Sequence, residues 1–445
     1  MSASQPKPLL RTFDIISLIV GTVVGAGIFK APALVASQIH TDTGLLVLWA
    51  FGGCVSLLGA LCYAELATTF PNVGGEYHFL REAYGREVGF LYAWARSTVI
   101  VTGSIAMLAI TLGDYMTPIL PLGRYSSSCW AVIVTLLLSL LNALGIREAK
   151  TAQNLFMAVE LVAILGIVAA GVVAHGAPAP VAAAATITHE APFSGRLGLA
   201  MVFVLLTYGG WNEAAYVSAE ARDTRRGVVR GLLLGLGAVT VIYLLVNAAY
   251  LYGLGHAGVA ASATPAADLF KLAFGANSGN LLSAMVAFSC MKSINATMFF
   301  GSRSTFALGR DWRVFSWLGH WHPSGAARRA IAAQAAIALA LIGLAVLTRN
   351  GFASIVEFTA PVFWFFILLV SLSLFVLRHK HPHRARAFRV PLYPVVPALF
   401  SLTALWLLWS SLSYTGYGAL VGIAFLAAGV IPLLIERRLA ATRRA

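Results

Sequence analysis

Gly21-Thr22-Val23-Val24-Gly25-Ala26-Gly27-Ile28-Phe29 sits in the middle of the first long apolar stretch of this chain. Each glycine inside a helix is less favourable than alanine by about 1 kcal/mol, and Pro32 follows shortly after. At membrane depth, backbone released from a helix is tolerated only where protein or a wet cavity covers it. A break here therefore predicts bare N–H and C=O groups that a polar ligand can meet. The interruption recurs at Tyr208-Gly209-Gly210-Trp211-Asn212. Matching breaks in two halves of a membrane chain are the sequence mark of a midplane binding site.

Composition supports the membrane setting. Of 445 residues, 59% are hydrophobic and only 11% charged, against about 25% charged in ordinary soluble domains. Mean hydropathy is +0.81. The net charge of +14 raises nucleic-acid binding as a reading, but the charge distribution excludes it. Arg124, Arg196, Lys271 and Arg349 fall in one set of loops, and Lys30, Arg96 and Lys292 fall inside apolar spans. The rest of the 31 Lys and Arg residues lie in the opposite loops and the two tails. By the positive-inside rule, both termini are expected in the cytoplasm. The membrane is expected to be the plasma membrane, or the inner membrane of a bacterium. Cys54, Cys62, Cys129 and Cys290 show no metal or redox spacing and read as packing thiols. Lys30 and Pro32 interrupt the end of the first apolar run, which argues against a cleaved leader.

A spanning helix needs about 20 mostly apolar residues. That rule predicts an all-α polytopic membrane protein with twelve transmembrane helices. The expected spans are 12–38, 44–69, 88–116, 128–146, 151–174, 195–221, 229–254, 276–306, 328–348, 352–378, 392–412 and 416–436. Residues 1–11 and 437–445 are expected as cytoplasmic tails. Residues 12–390 form the core, with halves at about 12–174 and 195–378, and 391–436 carry the last two spans. The sixth span begins five after the first and breaks at a similar depth. An odd repeat unit inserts its second copy upside down, so an inverted repeat is expected. The stretch Glu76-Tyr77-His78-Phe79-Leu80-Arg81-Glu82-Ala83 reads as a short amphipathic helix on the cytoplasmic surface. His379, His381 and His383 read either as metal ligands or, more simply, as part of a basic loop beside anionic headgroups.

Several motifs together resemble the amino acid–polyamine–organocation superfamily, and within it the L-type amino acid transporters and their bacterial relatives. They are Gly21 to Phe29; Gly59-Ala60-Leu61-Cys62-Tyr63-Ala64-Glu65-Leu66 with Gly74-Gly75-Glu76-Tyr77; Tyr208 to Asn212 with Glu220; and Ser289-Cys290, Ser293-Ile294-Asn295 and Ser302-Arg303. The resemblance covers about residues 12–390. It implies the LeuT-type fold, with inverted five-helix repeats plus two helices. It also implies secondary active amino acid transport by alternating access. By the same carry-over, Ala26 and Gly27 present N–H groups to a substrate carboxylate. Val23, Leu206 and Gly209 present carbonyls to its amine. Gly25 and Ile28 complete the first break, and Tyr208, Trp211 and Asn212 the second. Asn212 either bonds substrate or holds the turn, and Trp211 either walls the pocket or packs. The alternative for the glycines is close helix packing alone. The animal L-type proteins have an aromatic gate where this chain has Leu206, which points to small or medium neutral substrates. A heavy-chain partner of the kind those proteins bind by a disulfide is not expected, because Cys129 lies inside a span.

The charged residues within spans depart from the family. Many relatives have a lysine where this chain has Glu160. An ionised carboxylate beside helix carbonyls is repelled unless it is protonated, paired or turned away. Acidic residues at helix centre cost about 2.5–3.5 kcal/mol on insertion, so they are rarely idle. Glu160, Lys292, Ser293 and Thr297 are therefore the candidate ion-coupling residues. Lys292 either pairs with Glu160 or faces the substrate cavity. Lys30 is expected to snorkel or to line the outer vestibule, and Arg96 to snorkel. Glu357, near Pro361, reads as an outer-gate residue or a satisfied buried carboxyl. The expected function is amino acid transport, proton-coupled or by exchange, with substrate, protons and membrane lipid as partners. Transport of cationic amino acids or polyamines, encouraged only by Glu160 and Glu213, is the alternative within that class. A non-transporting amino acid receptor is the alternative outside it. No cofactor or metal is implied. No Ser–His–Asp or metal constellation suggests an enzyme.

Overall fold

The computed structural model describes every residue except 1–11, 73, 145–149, 176–192, 213–225, 323–326, 349–350, 415–416 and 442–445. Among the described residues there are helices and connecting turns and no strand. The interrupted first span forms α1 (Thr12–Val23), a 3₁₀ turn over Ala26–Phe29, and α2 (Ala31–Ala36). Next come α3 (Asp42–Thr69) and α4 (Glu76–Tyr84). The third span is α5 (Arg86–Ala95), a π turn over Arg96–Ile100, and α6 (Val101–Met116). Then follow α7 (Ser126–Leu144), α8 (Lys150–Val173) and α9 (Phe193–Thr207).

Beyond the undescribed residues lie α10 (Arg226–Ala261), α11 (Pro265–Phe274) and α12 (Ala276–Asp311). The chain continues through α13 (Arg328–Thr348), α14 (Gly351–Lys380) and α15 (Val395–Tyr414). It ends in α16 (Tyr417–Ala428) and α17 (Val430–Ala441). Nine helices among the described residues are long and apolar enough to cross a membrane. Three shorter apolar helices fall on the first, fifth and sixth expected spans. The protein is an all-helical polytopic membrane protein.

The sequence signals for starts and stops are used as expected. Thr41 caps α3, its hydroxyl accepting from the Gly44 N–H at 3.2 Å, which satisfies one of the unpaired N–H groups of a helix start. Three features depart from the expected spans. The seventh is longer and bends at Gly255. The loop after it holds α11, with polar Ser262 and Thr264 just ahead of it and Asp268 within it, which hides the helix from a hydropathy count. The twelfth is divided into α16 and α17 at Gly429.

α10 is the beam on which the broken first span rests. It lies against α1, α2, α3 and α8, while α12 lies against α6, α8 and the 3₁₀ turn. The first break is thereby enclosed by neighbouring helices. That satisfies the condition for irregular backbone at membrane depth.

Candidate functional site

The first break falls where the glycines place it. α1 ends at Val23, Gly25 is extended, and the backbone re-forms as a 3₁₀ turn from Ala26. The N–H groups of Gly25, Ala26 and Gly27 donate to no group among the described residues. Ile28 and Phe29 are fully buried, and the Tyr115 hydroxyl donates to the Phe29 carbonyl at 2.6 Å.

The second break meets the first. α9 ends at Thr207, and Gly210 has φ +108°, a left-handed conformation that glycine adopts without strain. The Gly209 N–H donates to the Leu206 carbonyl at 3.1 Å, so part of the acceptor capacity of Leu206 goes to the turn itself. A Cβ on Gly27 would lie 3.1 Å from Thr207 Cγ2. Gly27 is thus the close-approach point between the two breaks. The Tyr243 hydroxyl from α10 lies 2.7 Å from the Val23 carbonyl and 3.0 Å from that of Thr207.

Tyr208 is fully buried and donates to the Trp49 carbonyl at 3.0 Å. Trp211 sits edge-on to Tyr63 at 5.0 Å between ring centroids. It also borders a narrow cleft with Ser56, Gly209, Asn212, Phe363 and Trp364. Trp211 therefore both packs and forms a wall. The Asn212 side-chain amide donates to Glu76 Oε1 at 3.1 Å.

Glu160 is paired. Lys292 Nζ lies 2.5 Å from its Oε2, and the Ser289 hydroxyl donates to its Oε1 at 2.5 Å. The carboxylate is 3% exposed. Ser289 and Lys292 are three apart on α12 and share a face. Ser293 is the neighbour of the first break, its Oγ 3.7 Å from where a Gly25 Cβ would stand. The Thr297 hydroxyl donates to the Ser293 carbonyl at 2.8 Å. The four candidate coupling residues therefore divide. Glu160 and Lys292 form an ion pair, Ser293 touches α1's break, and Thr297 is satisfied within α12.

Three expectations are corrected. Lys30 does not snorkel. Its Nζ lies 2.7 Å from Asp114 Oδ2 and donates to the Ala263 carbonyl at 2.9 Å. Arg96 does not snorkel either. Its Nη1 lies 3.6 Å from Glu76 Oε2, its Nη1 also donates to the Tyr92 hydroxyl at 3.3 Å, and its Nε donates to Ser304 at 3.4 Å. In both cases a partner distant in sequence offers a shorter route to neutralisation than the interface. Glu76 is the third. The helix expected at 76–83 is present as α4, but its first residue is 3% exposed. Glu76 accepts from Tyr63 at 2.7 Å, from Asn212, and from Tyr92. Glu357 is half-buried against Gly418 on α16. The histidines at 379, 381 and 383 form no metal-ligand cluster among the described residues. Glu213 and Glu220 lie outside the described residues.

Sequence reading missed Tyr243, Tyr115, Asp114 and the role of Ser289. The available signal was polar residues on otherwise apolar faces, such as Tyr243 and Asn247 one turn apart on α10.

Two chain breaks that approach each other, the first with N–H groups that donate to nothing among the described residues, are the kind of site membrane permeases use. Known proteins agree. The sequence model of the amino acid permease family matches residues 10–430, and the chain belongs to that family, within the amino acid–polyamine–organocation superfamily. It is 29% identical to the human b(0,+)-type amino acid transporter 1 over 406 residues, covering 88% of this chain and 80% of that protein. It is 28% identical to the mouse large neutral amino acids transporter small subunit 2 over 426 residues, covering 93% and 78% respectively. The second relative is named as a small subunit, so the expectation that a heavy-chain partner is absent finds no support. Cys54 and Cys129 are exposed free thiols.

Proposed function

We propose that this permease exchanges small or medium neutral L-amino acids across the plasma membrane by alternating access. The observation that carries the reading is the meeting of the two breaks. Free N–H groups at Gly25 to Gly27 suit a carboxylate. Carbonyls at Val23, Leu206 and Gly209 suit an ammonium. No charged side chain is required for either, and the cleft beside Gly209 and Asn212 is lined by uncharged residues. An uncharged lining favours a neutral substrate over a cationic one.

Glu160 and Lys292 support exchange rather than proton symport. Removing one partner of a buried pair costs about 3–5 kcal/mol. The pair, joined at 2.5 Å, places a resident cation where a coupling cation would otherwise sit. The halves 12–174 and 195–378 serve as the two repeats in this reading, with both tails in the cytoplasm.

The test is uptake of a radiolabelled panel of neutral L-amino acids into proteoliposomes. Wild type and Glu160→Gln are compared with and without an inward proton gradient, and with and without internal amino acid. Uptake that requires internal amino acid and ignores the gradient is expected. Accumulation driven by the gradient and lost in Glu160→Gln would replace exchange by proton symport. No uptake of any member would sink the transport reading.

A further inference from the structure

His256 follows the bend in α10, where Gly255 leaves the helical conformation with φ +69°. Its imidazole uses both ring nitrogens. Nδ1 lies 3.0 Å from Oδ1 of Asp42, the first residue of α3. Nε2 lies 3.0 Å from the carbonyl of Ala36, the last residue of α2. Both partners are acceptors. A neutral imidazole has one N–H and one lone pair, whereas an imidazolium donates from both nitrogens. In the neutral ring, one of the two contacts sets a lone pair against an oxygen. Only the charged ring satisfies both. Water reaches the group, whose side chain is 22% exposed.

The other titratable side chains around this end of α10 are engaged elsewhere. α2 carries none. His40, ahead of α3, is bonded to Arg196 of α9. His175, after α8, stacks on Tyr252 of α10 with 3.8 Å between centroids. On α11, Asp268 accepts from Ser262 at 2.6 Å and pairs with Lys271 at 3.3 Å. Lys30 is held by Asp114. The carboxylate that His256 answers to is therefore that of Asp42.

The segments joined here flank the site. α2 continues the first span beyond its break and lies against α9, the half-helix that leads into the second break. A bond from α10 to the end of α2 fixes the chain just beyond the first break to the helix on which that span rests. Parting this end of the bundle requires the bond to be given up.

We infer that His256 is a proton-operated clasp at the outer end of the site. The imidazolium ties α2 and α3 to the bend of α10, and loss of its proton releases one tie. The inference rests on the alternating-access reading and the orientation proposed above, in which this end faces outward. Histidine changes its charge between about pH 5 and 8. The clasped arrangement offers the proton two acceptors and the parted one does not, so falling pH favours the clasped form. Exchange therefore slows on acidification, although no proton travels with the substrate.

The experiment measures exchange of radiolabelled L-leucine and L-alanine by proteoliposomes preloaded with the same amino acid. Rates are compared at about pH 5.5 and about pH 7.5, with equal pH on both sides so that no gradient acts. For a partly exposed ion pair, wild type is expected to run about threefold slower at the lower pH. His256→Gln, uncharged at both, should show a flat profile near the faster wild-type rate. His256→Arg, charged at both, should be flat and slow, and Asp42→Asn should lose part of the wild-type pH effect. A His256→Gln profile that follows wild type would overturn the inference and leave the transport reading standing. A wild-type rate that does not fall on acidification would do the same, as would aggregation of both His256 variants. Absence of leucine and alanine exchange by wild type would overturn it together with the proposed function.

Discussion

Lys30 Nζ lies 2.7 Å from Asp114 Oδ2, joining the segment just after the first break to the far end of α6. Ser127 of α7 donates to the other oxygen of Asp114 at 2.7 Å, and Lys30 also reaches the Ala263 carbonyl ahead of α11. Glu76 makes the corresponding junction at the opposite end of the bundle, joining α3, α5, the π turn and the second break. Both ends of the candidate site are thus tied to surrounding helices.

Lys30→Met is expected to loosen the first of these ties. The side chains of the pair are 12% and 21% exposed, so its loss is worth about 1–3 kcal/mol, between surface and buried values. In a background lacking Cys54 and Cys129, Ala263→Cys should react several-fold faster with a membrane-impermeant maleimide once Lys30 is replaced. Equal labelling rates would show that the pair does not hold that end closed.

Glu76→Gln should be more damaging than Asn212→Ala. The first removes the charge facing Arg96 and disturbs three further donors, whereas the second removes one of those donors. A lower midpoint in detergent thermal unfolding and a larger loss of uptake are expected for Glu76→Gln.

For Glu160 and Lys292, each single change, Glu160→Leu or Lys292→Met, leaves an unpaired buried charge. The double change leaves none. The double variant is therefore expected to be more stable than the sum of the single losses by about 1–3 kcal/mol. Simple additivity in thermal unfolding would mean that the two groups act independently.

Gly27→Ala places a methyl 3.1 Å from Thr207 Cγ2. It would also stand 3.2 Å from Thr207 Oγ1 and 3.3 Å from Thr207 Cα, so reduced uptake is expected that Thr207→Ser, which keeps both atoms, does not relieve. Wild-type uptake by Gly27→Ala would show that the two breaks can separate enough to admit the methyl.

His78 on α4 supplies a pH effect. Burial lowers its pKa below 6.5; Glu82 opposes this to a smaller extent, and Arg81 and Arg384 add to the lowering. A depressed histidine pKa favours the neutral folded form. The stability is complete above the unfolded pKa and is lost as pH falls through the folded one. Wild type should therefore lose more stability than His78→Phe as pH is taken from 7 to about 5.

The breaks were legible in the sequence because glycine acts locally. Gly25 and Gly27 fall two apart with Pro32 just beyond, whereas α3 carries Gly52, Gly53 and Gly59 with no proline and no break. Charges inside spans were legible only as problems. Lys30 has its partner 84 positions away and Lys292 its partner 132 away, and no local pattern reports such pairings. The sequence leaves open whether Lys292 pairs with Glu160; Ser289, three residues before it on α12, shares the face that meets the carboxylate. Tyr243 was invisible for a different reason. It breaks nothing and carries no charge, and its importance comes only from where two other chain segments end.

The Glu160–Lys292 pair also bears on membrane voltage. A membrane potential acts on moving charge, about 2.3 kcal/mol per elementary charge per 100 mV. Here the two internal charges cancel within 2.5 Å, and under the proposed exchange of one neutral amino acid for another the cargo adds none. On that proposal transport is electrically silent, and the concentrations of amino acids on the two sides, not the voltage, set the net flow.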